Sequence, residues 1–134
     1  QAESSAASDV YKRQALNNLG VTLSLDDFGT GYSSFNYLKK FPFDAIKVDK
    51  SFVQQLDESE EDKEIVRSII HVAKKLNLIV TVEGIESETH EDFIISEGCE
   101  YGQGYFYGKP MPCDEFETGL LRQNYPGNTN ITYQ

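Results

Sequence analysis

Cysteine is scarce: Cys99 and Cys113 are the only two, far apart and without a Cys-x-x-Cys pair. That leaves a single bridge open, but two reduced thiols of a cytoplasmic protein are the better reading. Long apolar runs are missing as well. Nothing approaches the roughly 20 residues of a membrane span, and the N-terminus lacks the charged-then-apolar pattern of a signal peptide. The segment is therefore expected to be cytoplasmic and to make no membrane contact, any anchor belonging to a region upstream. Positive charge is in short supply, since 12 Lys and Arg against 22 Asp and Glu give −10. Such a balance disfavours binding to DNA or RNA polymers and to anionic membranes. A small polyanionic substrate would need local help from a metal or a few well-placed cations. Histidine is limited to His71 and His90. Both fall in predicted helices without ligand spacing, so they are read as surface or packing groups, and His90→Ala is expected to leave activity near normal.

What is present suits one domain, or a piece of one: 134 residues, 39% hydrophobic and 25% charged. Residues 1–14, "QAESSAASDVYKRQ", show no periodicity and no helix signal, and are expected to be a leader outside the domain. Residues 123–134 are rich in Asn, Thr, Pro and Gly and are expected to be a disordered tail. Between them strands and helices alternate. "GVTLSL" is a strand, and "SSFNYLKKF" is a short helix stopped before Pro42. "AIKVD" leads to the helix "EEDKEIVRSIIHVAKKLN", where Ile65, Ile69, Val72, Ala73 and Leu76 recur at helical steps. "LIVTVEG" precedes a helix capped by Ser87 and ended at Gly98. "CEYGQGY" leads to a last helix around Glu115 to Leu121, and Tyr105 is expected to lie in that fourth strand. Repeated strand–helix units imply parallel strands with right-handed crossovers. The fold class expected is α/β: the last four units of a partial (β/α)8 TIM-type barrel, which when complete needs about 250 residues.

The unusual residues gather at or just after strand C-terminal ends, the edge where α/β folds build active sites. In "LSLDDFGTGYSS" the adjacent Asp26 and Asp27 are more than a turn requires. Their repulsion becomes tolerable if a cation lies between them. Both can reach one site only if the chain turns there, because successive strand residues point to opposite faces. In "IKVDKSF", alternation sets Lys47 and Asp49 opposite Ile46 and Val48. Lys47 is then either paired with Asp49 or free to stabilise phosphoryl charge near metal-bound carboxylates. Glu83, after an apolar run, is expensive to bury without a partner, which favours a ligand or base role. Glu86 is a loop charge. Gln103 lies between Gly102 and Gly104, which admit a ligand or another backbone. The acidic run "DESEED" is a solvated loop and helix start. Asp27-Phe28-Gly29 spells a kinase tripeptide, but no HRD-type loop or VAIK-type strand precedes it.

Together "DDFGTGYSS", "IKVDKSFV", "VEGIES" and "GCEYGQGYFYGKPMP" resemble, in order and spacing, the C-terminal half of an EAL domain, over about residues 15–122. That family hydrolyses cyclic di-GMP on a variant (β/α)8 barrel. The resemblance implies two divalent ions, Mg²⁺ or Mn²⁺, with Asp26, Asp27 and Glu83 as ligands. It implies catalytic roles for Lys47, Glu83 and Gln103, and a substrate or loop-bracing role for Glu86, with Asp49 beside them. The implied product is the linear dinucleotide pGpG. The Glu-Ala-Leu motif and the other first-half ligands are absent. The chain is therefore read as a fragment of a phosphodiesterase, inactive alone and prone to self-association through its open half barrel. The alternative is a degenerate EAL domain acting as a cyclic di-GMP receptor or interaction module.

Overall fold

The computed structural model describes residues 2–30 and 35–121. Ten elements follow one another: α1 (Ala2–Asn18), β1 (Ser24–Phe28), α2 (Phe35–Lys40), β2 (Ala45–Val48), a 3₁₀ turn (Lys50–Phe52), α3 (Glu60–Lys75), β3 (Ile79–Glu83), α4 (Glu88–Ser96), β4 (Tyr101–Gln103) and α5 (Cys113–Leu121). The strands form one sheet in the order β1-β2-β3-β4, every neighbouring pair parallel. Sequential order with parallel pairing requires a crossover at each step, and α2, α3 and α4 supply them.

Apolar residues at alternate strand positions carry the core. Ile46 and Val48 of β2 and Val82 of β3 are completely buried, together with Val66, Ile70 and Ala73 of α3. Helix α3 begins as its composition demands: Ser59 caps it by accepting the Asp62 amide, three acidic residues fill its first turn, and Lys74 and Lys75 close it. Of the five apolar positions that marked this helix, Ile69 and Ala73 are buried, whereas Ile65, Val72 and Leu76 are more than a third exposed. One face of a four-stranded sheet covers a narrower arc than the helix offers. Helix α4 is capped by Ser87, and Gly98 follows it in the left-handed conformation, as expected.

Two readings need correction. Residues 2–14 are not featureless but lie in α1. That helix has no apolar stripe and docks near its C-terminal end, where the Arg13 guanidinium sits 4.3 Å from the Phe41 ring and 4.8 Å from Phe43. Periodicity cannot reveal a helix anchored in this way. Tyr105 lies in the turn after β4 rather than in the strand, because the backbone leaves the sheet at Gly104. Leu23 lies just ahead of β1, where its carbonyl accepts the Asp44 and Ala45 amides. The proposed tail at 123–134, with Gly31 and the serine pair at 33–34, lies outside the described residues. Both cysteines are free thiols, Cys99 buried and Cys113 exposed.

Candidate metal and phosphodiester site

Asp26 and Asp27 reach one site through a defect in β1. Leu25 pairs with Ile46 and Phe28 with Val48, so two residues of β1 stand opposite the single residue Lys47. That is a β-bulge. Asp27 adopts φ 52°, the left-handed region, which costs an ordinary side chain about 1–2 kcal/mol and costs Asp less. The Asp27 amide donates to Asp26 Oδ1 at 2.9 Å, and the Asp27 carbonyl accepts from both the amide and the hydroxyl of Thr30. Strict alternation would have sent these carboxylates to opposite faces. The bulge cancels it, and one oxygen each from Asp26, Asp27 and Glu83 lie within 4.8 Å of one another.

Lys47 stands beside this triad. Its Nζ lies 2.6 Å from Glu83 Oε1 and 4.0 Å from Asp26 Oδ1. The hydrogen bond to Glu83 holds the ammonium pKa above its ordinary value, against the opposing effect of partial burial. Glu83 is the last residue of β3, its side chain 18% exposed, and the burial cost is offset by the lysine. Gly84 follows at φ 82°, and a Cβ there would lie 2.6 Å from Lys50 Cβ.

The other candidates are arranged less tightly. Gln103 ends β4 in register with Glu83, and its side chain is exposed. The glycine after it admits another backbone rather than a ligand: a Cβ on Gly104 would fall on the Ile85 peptide. Glu86 is exposed, and its amide donates to His90 Nδ1 at 3.4 Å. Asp49 does not pair with Lys47 in the manner anticipated. It caps the 3₁₀ turn, accepting the Ser51 amide at 2.8 Å, and the Ser51 hydroxyl, followed by that amide, lowers its carboxyl pKa. His71 meets Glu97 at 3.4 Å on an exposed face, as a surface group should. His90 is buried, and sequence reasoning gave it no part in the site. The available signal was its spacing, three residues after a helix cap and four after Glu86.

Asp49 gives a test of pH dependence. A carboxyl with a depressed folded pKa stabilises the fold above its unfolded value of about 4, and that contribution disappears as pH falls through the folded value. Asp49→Ala is expected to cost about 1 kcal/mol at neutral pH through loss of the cap. Asp49→Asn retains an acceptor, so its stability deficit should vanish in acid. Denaturant midpoints measured from neutral pH downward would check this, and a deficit that grew in acid would contradict it.

The chain is similar to known proteins. The family model described as EAL domain matches residues 1–110, a span that includes the first fourteen residues. The cyclic di-GMP phosphodiesterase NbdA of Pseudomonas aeruginosa is 46% identical over 107 residues, covering 80% of this chain and 14% of that protein. The cyclic di-GMP phosphodiesterase PdeR of Escherichia coli is 44% identical over 109 residues, covering 81% and 16%. The cyclic di-GMP complex of the MucR phosphodiesterase of Pseudomonas aeruginosa aligns with a TM-score of 0.75 at 38% identity, covering 83% of this chain and 45% of that one. The four-stranded sheet is thus part of a barrel, and the chain spans less than a fifth of the length of these curated relatives. Among the described residues, no helix is long and apolar enough to cross a membrane.

Proposed function

The chain belongs to the EAL domain family, and from that premise we propose that residues 15–122 are the C-terminal half of a barrel that hydrolyses cyclic di-GMP to pGpG in a bacterial, cytoplasmic setting. The observation that carries this reading is the convergence of Asp26, Asp27 and Glu83 with Lys47 at their side.

The donor set fits a divalent cation. Three carboxylates converge while a single lysine offsets their charge, and hard oxygen donors suit Mg²⁺ or Mn²⁺. Asp26, Asp27 and Glu83 would hold the ions, with ligands from the missing half completing the shell. When bound, the ions make water nucleophilic near neutral pH and offset the charge of the phosphodiester. The remaining work belongs to this chain. Lys47, kept protonated by Glu83, donates to a phosphoryl oxygen as negative charge builds up on it. Gln103, next to Glu83 across β3 and β4, orients the attacked group with its carboxamide. Glu86 braces the loop that follows Glu83. Water adds to phosphorus, one P–O3′ bond of the ring breaks, and the departing 3′ oxygen takes a proton. One cleavage opens the ring.

In a complete barrel the outer edges of β1 and β4 would be covered by further strands, and among the described residues no strand pairs with either edge. The isolated chain is therefore expected to self-associate in sedimentation, to bind Mn²⁺ weakly and to leave cyclic di-GMP intact. The same chain joined to its missing strands should convert cyclic di-GMP to pGpG only when Mg²⁺ or Mn²⁺ is added, as followed by chromatography. Robust hydrolysis by the isolated chain would refute the half-site reading. A completed domain that binds the nucleotide but never cleaves it would establish the receptor alternative instead.

A further inference from the structure

His90 is a buried titratable group that the proposed chemistry leaves unused. Its side chain is only 7% exposed, although it sits in the first turn of a surface helix. Each ring nitrogen faces a different loop at the end of the sheet that carries the site. Nδ1 accepts the Glu86 amide at 3.4 Å, in the segment joining β3 to α4. Nε2 lies 3.3 Å from Asp57 Oδ2, in the segment joining β2 to α3. This second contact has ion-pair distance but not hydrogen-bond alignment, so Nε2 has no hydrogen-bond partner among the described residues. The Asp57 side chain is 49% exposed. An imidazole that accepts at Nδ1 carries its proton on Nε2, the atom that faces the aspartate.

The backbone after Glu83 explains what such a group does. Ile85 is tied by its amide to the Gln103 carbonyl at 3.1 Å, and its own carbonyl accepts the Phe106 amide at 3.0 Å. Glu86 comes next, and its amide is held by His90. Ser87 then caps α4 by accepting the His90 amide at 3.2 Å. The segment between β3 and α4 is therefore fastened at Ile85, Glu86 and Ser87, and the Glu86 fastening is made by a side chain from beyond the loop. Without it, the Glu86 amide would be left without its acceptor, and the three-residue span holding Glu83 and Glu86 in relation to each other would slacken.

We propose that His90, as the neutral Nε2–H tautomer, is a positioning residue for this site: it clamps the Glu86 amide and braces the β3–α4 loop against Asp57. Its consequence for turnover rests on the phosphodiesterase reading above; the clamp itself does not. A glutamine carboxamide offers an acceptor and a donor at nearly the spacing of the two ring nitrogens, so His90→Gln can make both contacts and His90→Ala neither.

The test has two parts. Nitrogen NMR of the 134-residue chain near neutral pH should show the Nε2–H tautomer at His90. Amide exchange at Glu86 should accelerate about tenfold in His90→Ala while Val82 and Ile94 hold their protection, and His90→Gln should restore it. In the intact parent protein, and contrary to the near-normal activity expected of His90→Ala from the sequence alone, kcat should fall about 10- to 100-fold in His90→Ala with KM little changed, and recover in His90→Gln. An Nδ1–H tautomer, an unaltered Glu86 amide, or equal loosening of Val82 and Ile94 would overturn the proposal, as would an unchanged kcat in an active parent. A wild-type parent that cleaves no cyclic di-GMP would refute the functional reading instead, and the exchange data would still decide the role of His90.

Discussion

Asp27→Asn is expected to abolish the cyclic di-GMP cleavage proposed for the completed barrel, a loss of about 10³-fold or more, while leaving the thermal midpoint almost unchanged. The pairing of these outcomes follows from the position of Asp27. Its carboxylate is one of three converging on the proposed metal site, and the amide that replaces it carries no negative charge. Its backbone is left-handed at φ 52°, which Asn tolerates at least as well as Asp. Asparagine therefore removes the charge without adding strain. Alanine does both, since it loses the charge and pays more for the left-handed backbone, so Asp27→Ala should also lower stability by about 1 kcal/mol. Calorimetric titration with Mn²⁺ beside the activity assay would separate the two effects. An Asp27→Asn enzyme with normal metal affinity and turnover would remove Asp27 from the site.

Gly104→Ala is expected to be the most damaging glycine-to-alanine change among the described residues, costing upwards of about 3 kcal/mol. A Cβ at this position would overlap the carbonyl, amide and carbonyl carbon of Ile85. Those are backbone atoms that cannot rotate away, and they make the two hydrogen bonds joining the β3–α4 loop to the end of β4. Relief of the overlap requires separating Gln103 from Ile85, and so separating the register-paired ends that carry Gln103 and Glu83. Gly20→Ala makes a useful control, since no atom lies within 4 Å of its Cβ and the cost is confined to a left-handed backbone. That cost should be about 1 kcal/mol. Urea midpoints of the two variants would give the comparison, and equal losses would show that the contact at Gly104 is less confining than its geometry implies.

The sequence by itself determined the strand–helix alternation from β1 to α5 and the sheet edge at which the candidate residues fall. Val80 and Val82 in β3, Ile46 and Val48 in β2, and the helical spacing of Ile69 and Ala73 are local patterns, and local patterns specify which face of an element is apolar. Glu83 and Gln103 likewise end their strands where the β-rich runs stop, so the edge proposed to carry the site could be located before any coordinates. Tertiary structure alone decided how these pieces meet. The bulge opposite Lys47 brings Asp26 and Asp27 together against their alternation, because register between strands is a property of the pair and not of either run. The lysine found Glu83 on the neighbouring strand, whereas Asp49 turned to cap its own backbone. Helix α1 has no stripe to announce it and is held by Arg13 stacked on two phenylalanines from beyond β1. His90 reads as an ordinary packing residue until the loops after β2 and β3 close around it. Apart from the local bonds of Asp49 to Ser51 and of His90 to Glu86, the deciding contacts join residues distant in the chain, and a pattern of hydrophobicity along one segment holds no information about the group it will touch in another.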